Sequence, residues 1–257
     1  MILSSSSVLG NPGILEALRS ASALQTGVFF LIANLAIFGS SVLLCWALGI
    51  AFKGKRIFDR WEPLRRIEVM AAISAILLNA AVSVVGWWLW TRGLIEIQSG
   101  GLLQSTFDCV LMVLAMDLGM YGFHRAAHHP FMFRIVHRFH HRHEATNPIS
   151  LFVLHPIEVI GFGSLMIVFL ILYPMSLGGL IAYLTLNVLF GTLGHSGVEP
   201  FPAFISRLPV LRLIGTSTFH AEHHEHPKYN FGFYTLFWDK LFGTLDPEYQ
   251  RRFRQGR

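Results

Sequence analysis

Cysteine is close to absent from this sequence. The two copies, Cys45 and Cys109, both lie inside apolar runs, so neither a disulfide framework nor a thiolate metal site is available. Charge is scarce as well: Asp, Glu, Lys and Arg make up 14% of the 257 residues against 53% hydrophobic. An ordinary soluble domain carries about 25% charged residues, and the shortfall places this chain in a bilayer. No Pro/Gly/Ser-rich linker, low-complexity tract or internal repeat interrupts residues 1–257, which predicts one membrane domain. The basic start of a signal peptide is also missing, so no cleavage is expected. The net charge of +5 comes mostly from clustered arginines without aromatic-interleaved basic strands, which excludes a nucleic-acid partner.

Long apolar runs are what the chain has in abundance. After residues 4–7, all serine, and a short amphipathic piece around 14–24, five runs read as membrane helices: 27–52, 69–91, 102–123, 151–173 and 177–194. Lys53, Lys55, Arg56, Arg60, Arg65 and Arg66 crowd the loop after the first run, and Arg125, Arg134, Arg138 and Arg142 follow the third. The positive-inside rule puts both clusters in the cytoplasm and the N-terminus outside. The last two runs, parted by Pro174, read as a helical hairpin that leaves the cytoplasmic face and returns to it. The expected fold is all-α: a polytopic membrane bundle with a cytoplasmic helical cap at 124–150 and 195–257.

That topology delivers the histidine groups to one side. Residues 117–141, DLGMYGFHRAAHHPFMFRIVHRFHH, hold six of the thirteen histidines. On a helix Asp117, Tyr121, His124 and His128 fall within roughly 60° of one another. His137, His140 and His141 have the spacing that places three imidazoles on one helix face, and His220, His223 and His224 repeat it. So many neutral imidazoles crowded together without metal would leave many buried nitrogens to satisfy. These eight are the candidate ligands, more than one ion can use, so a two-metal site follows. His129, His143 and His226 point off the stripes and read as spare or as supports. Imidazole-rich sites suit Fe, Zn, Cu or Ni, and spacing does not choose among them.

The segments HRAAHHP, HRFHH, VLHPIE, GHSGVEPFP and FHAEHHEHPKYNFG with FWDKLFGT resemble, in order, the histidine boxes of the fatty acid hydroxylase and sterol desaturase superfamily. GHSGVEPFP is most like the sterol 4-methyl oxidases, and SLFVLHPIE is more like the sterol 5-desaturases. The resemblance covers about residues 117–245 and implies two iron ions, dioxygen and electrons delivered in pairs to activate an unreactive C–H bond. It also makes His195 a ligand, and His155 a ligand or close support. Related membrane desaturases carry a polar residue four before the equivalent of His195; Gly191 stands there, with Asn187 a turn further back as a stand-in through water. The chain carries no fused haem-binding segment, so a separate donor of the cytochrome b5 or ferredoxin type is implied. An arginine-rich surface could dock it.

Asp117 reads as the buried acid of the third span, accepting an N–H from a ligating imidazole and fixing its orientation. Glu158 and Glu222 invite the same reading, while Tyr121, Asn230 and residues 238–243 look like packing and turns. The substrate would be a lipid entering a pocket lined by the 151–194 hairpin and PFPAFISRLPVLRLIG. The leading expectation is a hydroxylase or desaturase of a lipid. The alternative is a histidine-rich transporter or sensor of zinc or another transition metal, whose histidines should line a path from both faces. No eukaryotic retrieval signal ends RRFRQGR, so a bacterial inner membrane is expected ahead of an endoplasmic reticulum.

Overall fold

The structure, a computed structural model, describes residues 12–142 and 145–255; the serines at 4–7, His143 and the end of the arginine-rich tail lie outside the described residues. After α1 (Pro12–Ser20), the long helices are α2 (Ala23–Ala51), α3 (Arg66–Thr91), α4 (Leu102–Ala127), α6 (Pro156–Leu172) and α7 (Leu177–Gly194). α5 (Pro130–Met132) is a single turn, and α8 (Ser217–Glu225), α9 (Phe237–Leu241) and α10 (Tyr249–Gln255) belong to the far end of the chain. The only paired strands among the described residues are the two-residue β1 (Ile97–Gln98) and β2 (Met175–Ser176), which run parallel.

Four helices, α2, α3, α4 and α7, are long and apolar enough to cross a membrane, and α6 is a shorter apolar helix of 17 residues. Their outward faces are as apolar as their inward ones, with Leu43, Ile73, Leu114, Val168 and Ile181 all exposed. A helix that is hydrophobic all round needs lipid outside it. This is a multi-pass membrane bundle.

The five helices close a ring in the order α2, α3, α6, α4, α7 and back to α2. The last two were expected to pair as a hairpin; instead α4 packs against both and runs between them. The expected start of that span at 151 is also corrected. Pro156 occupies the first helical turn, and His155 caps it reciprocally with Glu158, so residues 150–152 are left as a separate 3-10 turn.

Along α4, Met112, Met116 and Met120 repeat every four residues and pack into the ring with Leu170, Met175 and Tyr183. Small residues let the backbones close up, as is usual where no hydrophobic force separates helix from lipid. A Cβ on Gly161 of α6 would sit 2.2 Å from Phe123 of α4. Gly161→Ala is therefore expected to cost about 1–3 kcal/mol. Thermal unfolding in detergent reads this as a lower midpoint; an unchanged midpoint would mean that the Phe123 ring swings clear at no cost.

At the end of the bundle away from the histidines, Asp108 is fully buried. It accepts from Gln104 Nε2 at 2.7 Å, the Tyr173 hydroxyl at 2.8 Å and the Ser176 amide at 2.7 Å. Asp117 is thus not the only buried acid of the third span. Asp108 ties the α6–α7 turn to α4, a role that no spacing pattern announces.

Candidate metal centre

α4 ends, α6 begins and α7 ends at one end of the ring, and the polypeptide between and beyond them forms the layer that carries the histidines. α4 supplies His124 and, at its C-cap, His128. A π turn over Phe133–His137 and a 3-10 turn over His140–Arg142 supply His137, His140 and His141. His195 caps the end of α7, and α8 carries His220, His223 and His224.

The rings gather into two groups. His124, His128, His137, His141 and His223 form the first; His140, His195, His220 and His224 form the second, and the ring nitrogens within each lie within 4.8 Å of one another. The groups adjoin, with the rings of His141 and His224 stacked 4.7 Å apart. All nine histidines named from sequence are in these groups. The expectation that each HxxHH triplet shares one face is corrected. In both triplets the i, i+4 pair enters one group and the middle histidine enters the other; on the regular helix α8 this follows because positions i+3 and i+4 stand about 100° apart. In the first triplet the backbone is not one regular helix at all.

The hydrogen-bond pattern bears on what these rings could hold. His124 Nδ1 donates to the Phe231 carbonyl at 2.9 Å, and His137 Nδ1 donates to Glu158, so each Nε2 keeps only a lone pair. Those two Nε2 atoms face each other at 3.1 Å. Burial holds His137 down at about 4, so no second proton lies between them at neutral pH. His223 Nδ1 donates to the Tyr229 carbonyl at 2.6 Å, and its Nε2, like that of His128, is buried without a hydrogen-bond partner. Lone pairs aimed at one another in a dry pocket repel unless a cation lies among them. Two nitrogens bound cis to one ion at about 2.1 Å sit about 3 Å apart, so the residues fit a metal.

The second group is held similarly. His195 Nδ1 donates to Ser150 Oγ at 2.9 Å, whose own proton goes to the Asn147 carbonyl, and His140 Nδ1 donates to the Val153 carbonyl at 3.2 Å. His220 Nε2 lies 3.0 Å from His195 Nε2 and 3.2 Å from His224 Nε2. Burial pushes His220 down to about 3 and takes His128, His141, His223 and His224 well below the ordinary histidine range, with the neighbouring imidazoles adding to the effect. The set is neutral and ready to ligate.

Several assigned roles move. Asp117 touches no imidazole: its carboxylate accepts the Tyr234 amide at 3.0 Å, the Thr235 amide at 3.1 Å and the Thr235 hydroxyl at 2.5 Å. The orienting role goes to Glu158, which takes His137 Nδ1 on one oxygen and the His155 amide on the other. Glu222, also read as an orienting acid, has neither oxygen hydrogen-bonded, and burial pushes it up to about 8. His155 accepts the Ile157 amide as a helix cap, and His129 precedes α5; neither is in a group. His226 faces Asp246 at 3.4 Å. Asn187 accepts from Tyr234 at 2.6 Å, and a Cβ on Gly191 would sit 2.7 Å from Leu151. A side chain at 191 would have to displace the tip of Leu151. Sequence reasoning missed the Ser150 hydroxyl, and it missed the carbonyls of Val153, Tyr229, Phe231 and Pro227, the last a partner of His128, because a backbone acceptor has no residue-type signature. With Glu158→Gln, metal affinity is expected to fall about 10–100-fold. Titration of the metal-free protein with Fe(II) measures it, and wild-type affinity would remove Glu158 from the orienting role.

A family model described as fatty acid hydroxylase matches residues 109–244. That is more than half of the chain, and it contains every histidine of both groups. The chain belongs to the fatty acid hydroxylase family. Among its curated relatives is a Delta(7)-sterol 5(6)-desaturase of Eremothecium gossypii, 24% identical over 76% of this chain and 56% of that protein. Another, from Aspergillus fumigatus, is 26% identical over 71% of this chain and 51% of its own length. A very-long-chain aldehyde decarbonylase of Oryza sativa subsp. indica is 31% identical over 49% of this chain and 21% of that protein. This family member thus spans about half the length of the sterol desaturases it matches. No solved structure matches it.

Proposed function

We propose that the two histidine groups hold two iron ions and that the chain is a membrane enzyme using dioxygen to hydroxylate or desaturate a lipid. The observation that carries the reading is the pair of Nε2 lone pairs on His124 and His137, facing each other 3.1 Å apart beside the unpartnered Nε2 atoms of His128 and His223. The family and its sterol desaturase members support the lipid and the chemistry. Bound ferrous ions supply the two-electron activation of dioxygen needed to break an unreactive C–H bond.

The chain's own residues do the rest. As neutral ligands, the imidazoles would leave the positive charge of bound ions uncompensated. Glu158, Ser150 and the carbonyls of Phe231, Val153 and Tyr229 occupy Nδ1 of His137, His195, His124, His140 and His223, so the Nε2 of each of these five is left free to ligate. Phe231 and Phe133 pack on the His128 ring. A cavity of about 780 Å³ reaches His128 from the outer side of the α4 terminus, lined by Gly122, Arg125, Met132, Phe231 and Thr244. That is the entrance proposed for the lipid, in place of the expected hairpin pocket.

Lys53, Lys55, Arg56, Arg134, Arg138, Arg142, Arg251 and Arg252 all stand at the histidine end, which supports a cytosolic position for it and a docking face for an acidic electron donor. The named relatives are eukaryotic, which favours the endoplasmic reticulum over the bacterial inner membrane. A transporter needs ligands along the whole crossing, and both groups lie at one end of the bundle. Metal analysis of the purified protein, with lipid profiling of cells with and without the gene, tests the proposal. About two irons per chain and a lipid differing by one oxygen or two hydrogens are expected; exchangeable zinc with no lipid change would sink it.

A further inference from the structure

The level of Asp117 along α4 places part of the histidine layer inside the bilayer. α4 is 26 residues long, about 39 Å at 1.5 Å per residue. A hydrocarbon layer of about 30 Å centred on it covers roughly the stretch from 105 to 125. Asp117 lies well within that stretch, and it holds the amides of Tyr234 and Thr235. The backbone at 234–235 is therefore at membrane depth. The segment beside it is there too, since Ile214 and Thr235 form an isolated antiparallel bridge, Gly215 donates to the Tyr234 carbonyl, and Leu236 donates to the Leu213 carbonyl. Tyr234 then reaches through the ring to Tyr183 at 3.0 Å and Asn187 at 2.6 Å on α7.

Irregular backbone survives at this depth only where its polar groups are satisfied by protein. Here they are satisfied by the bridge and by the Asp117 carboxylate. The outward side chains complete the pattern. Val210, Leu211, Phe237, Leu241 and Phe242 are exposed, Val210 by 75% and Leu241 by 60%. This apolar surface is continuous with α4, because Phe242 stacks on Tyr121 at 5.5 Å and Leu118 beside it is also exposed. Its exposed charges are Arg212 and Lys240, while its one acid, Asp239, is buried.

We propose that residues 208–215 and 234–242 form a limb sunk into the acyl-chain layer of the histidine-side leaflet. Val210, Leu211, Phe237, Leu241 and Phe242 lie against lipid, and Arg212 and Lys240 extend to the headgroup phosphates. The rim of the cavity at Gly122, Arg125 and Thr244 then opens at the boundary of that leaflet, so a lipid enters sideways without crossing water. The limb does not depend on what the histidines bind.

The test is site-directed spin labelling of the full chain in phosphatidylcholine and phosphatidylserine vesicles, with a nitroxide at Val210→Cys or Leu241→Cys. Leu114→Cys on the lipid face of α4 and Glu248→Cys beside α10 serve as references. Unsubstituted protein measures any labelling of the buried Cys45 and Cys109. At 210 and 241, collisions with dissolved oxygen should match those at 114, and collisions with a water-soluble nickel chelate should be lost. Labels at 210 and 241 that behave like the one at 248 would overturn the proposal. Spin–spin broadening between chains at these positions would also overturn it, by showing that a second copy covers the surface.

Discussion

Purified His223→Ala protein is expected to carry fewer than two irons per chain and to leave its lipid substrate unoxidised. His223 reaches only the first group, where its buried Nε2 has no other partner, while its α8 neighbours His220 and His224 serve the second. One helix therefore feeds both candidate sites, and substitutions one turn apart should strip different ones. His220→Ala should deplete the second group and spare the first. His140→Ala, from the other triplet, should do the same. Iron content and lipid oxidation measured side by side separate these outcomes. Each variant should lose more activity than the about 10–100-fold expected when only an orienting partner is removed. Two irons and full activity in His223→Ala would end the ligand assignment, provided the variant inserts and elutes like the wild type.

The largest effect on stability is expected at Asp117. Asp117→Leu removes the acceptor for the Tyr234 and Thr235 amides and the Thr235 hydroxyl at a buried position. Each orphaned donor costs about 1–3 kcal/mol, so the total loss is about 3 kcal/mol or more. Asp117→Asn keeps an acceptor oxygen and should lose less. Unfolding midpoints in detergent should rank wild type, Asn and Leu in that order. Iron content at low temperature should be closest to normal in the Asn variant, since Asp117 touches none of the rings. A Leu variant as stable as the wild type would show that the 234–235 amides find other partners.

These two residues also show where reading the chain stops. The histidine spacings were enough to name eight of the nine rings that gather, because residues three and four apart are neighbours on a helical turn, and the ninth, His195, came only from the family resemblance. They could not say how the rings divide. His137 and His141 part from His140 through a local π turn and a 3-10 turn, and no residue type marks those backbone states in advance. Asp117 stands on the same predicted stripe as His124 and His128, yet it turns to backbone brought back from more than a hundred positions later in the chain. Glu158 received the orienting role only because Pro156 and His155 start α6 at the right height.

Composition and the apolar runs were sufficient for a membrane bundle with its histidines at one end, since about twenty uncharged residues have few other places to go. Sequence order alone implied a hairpin from α6 and α7. Only packing decided that α4 lies between them, because the close approach of Gly161 to Phe123 and of Gly179 to Asp108 is a fit between surfaces far apart in the chain. The partners of the imidazole Nδ1 atoms were likewise decided in three dimensions: most are main-chain carbonyls, which every residue has and only the fold can aim.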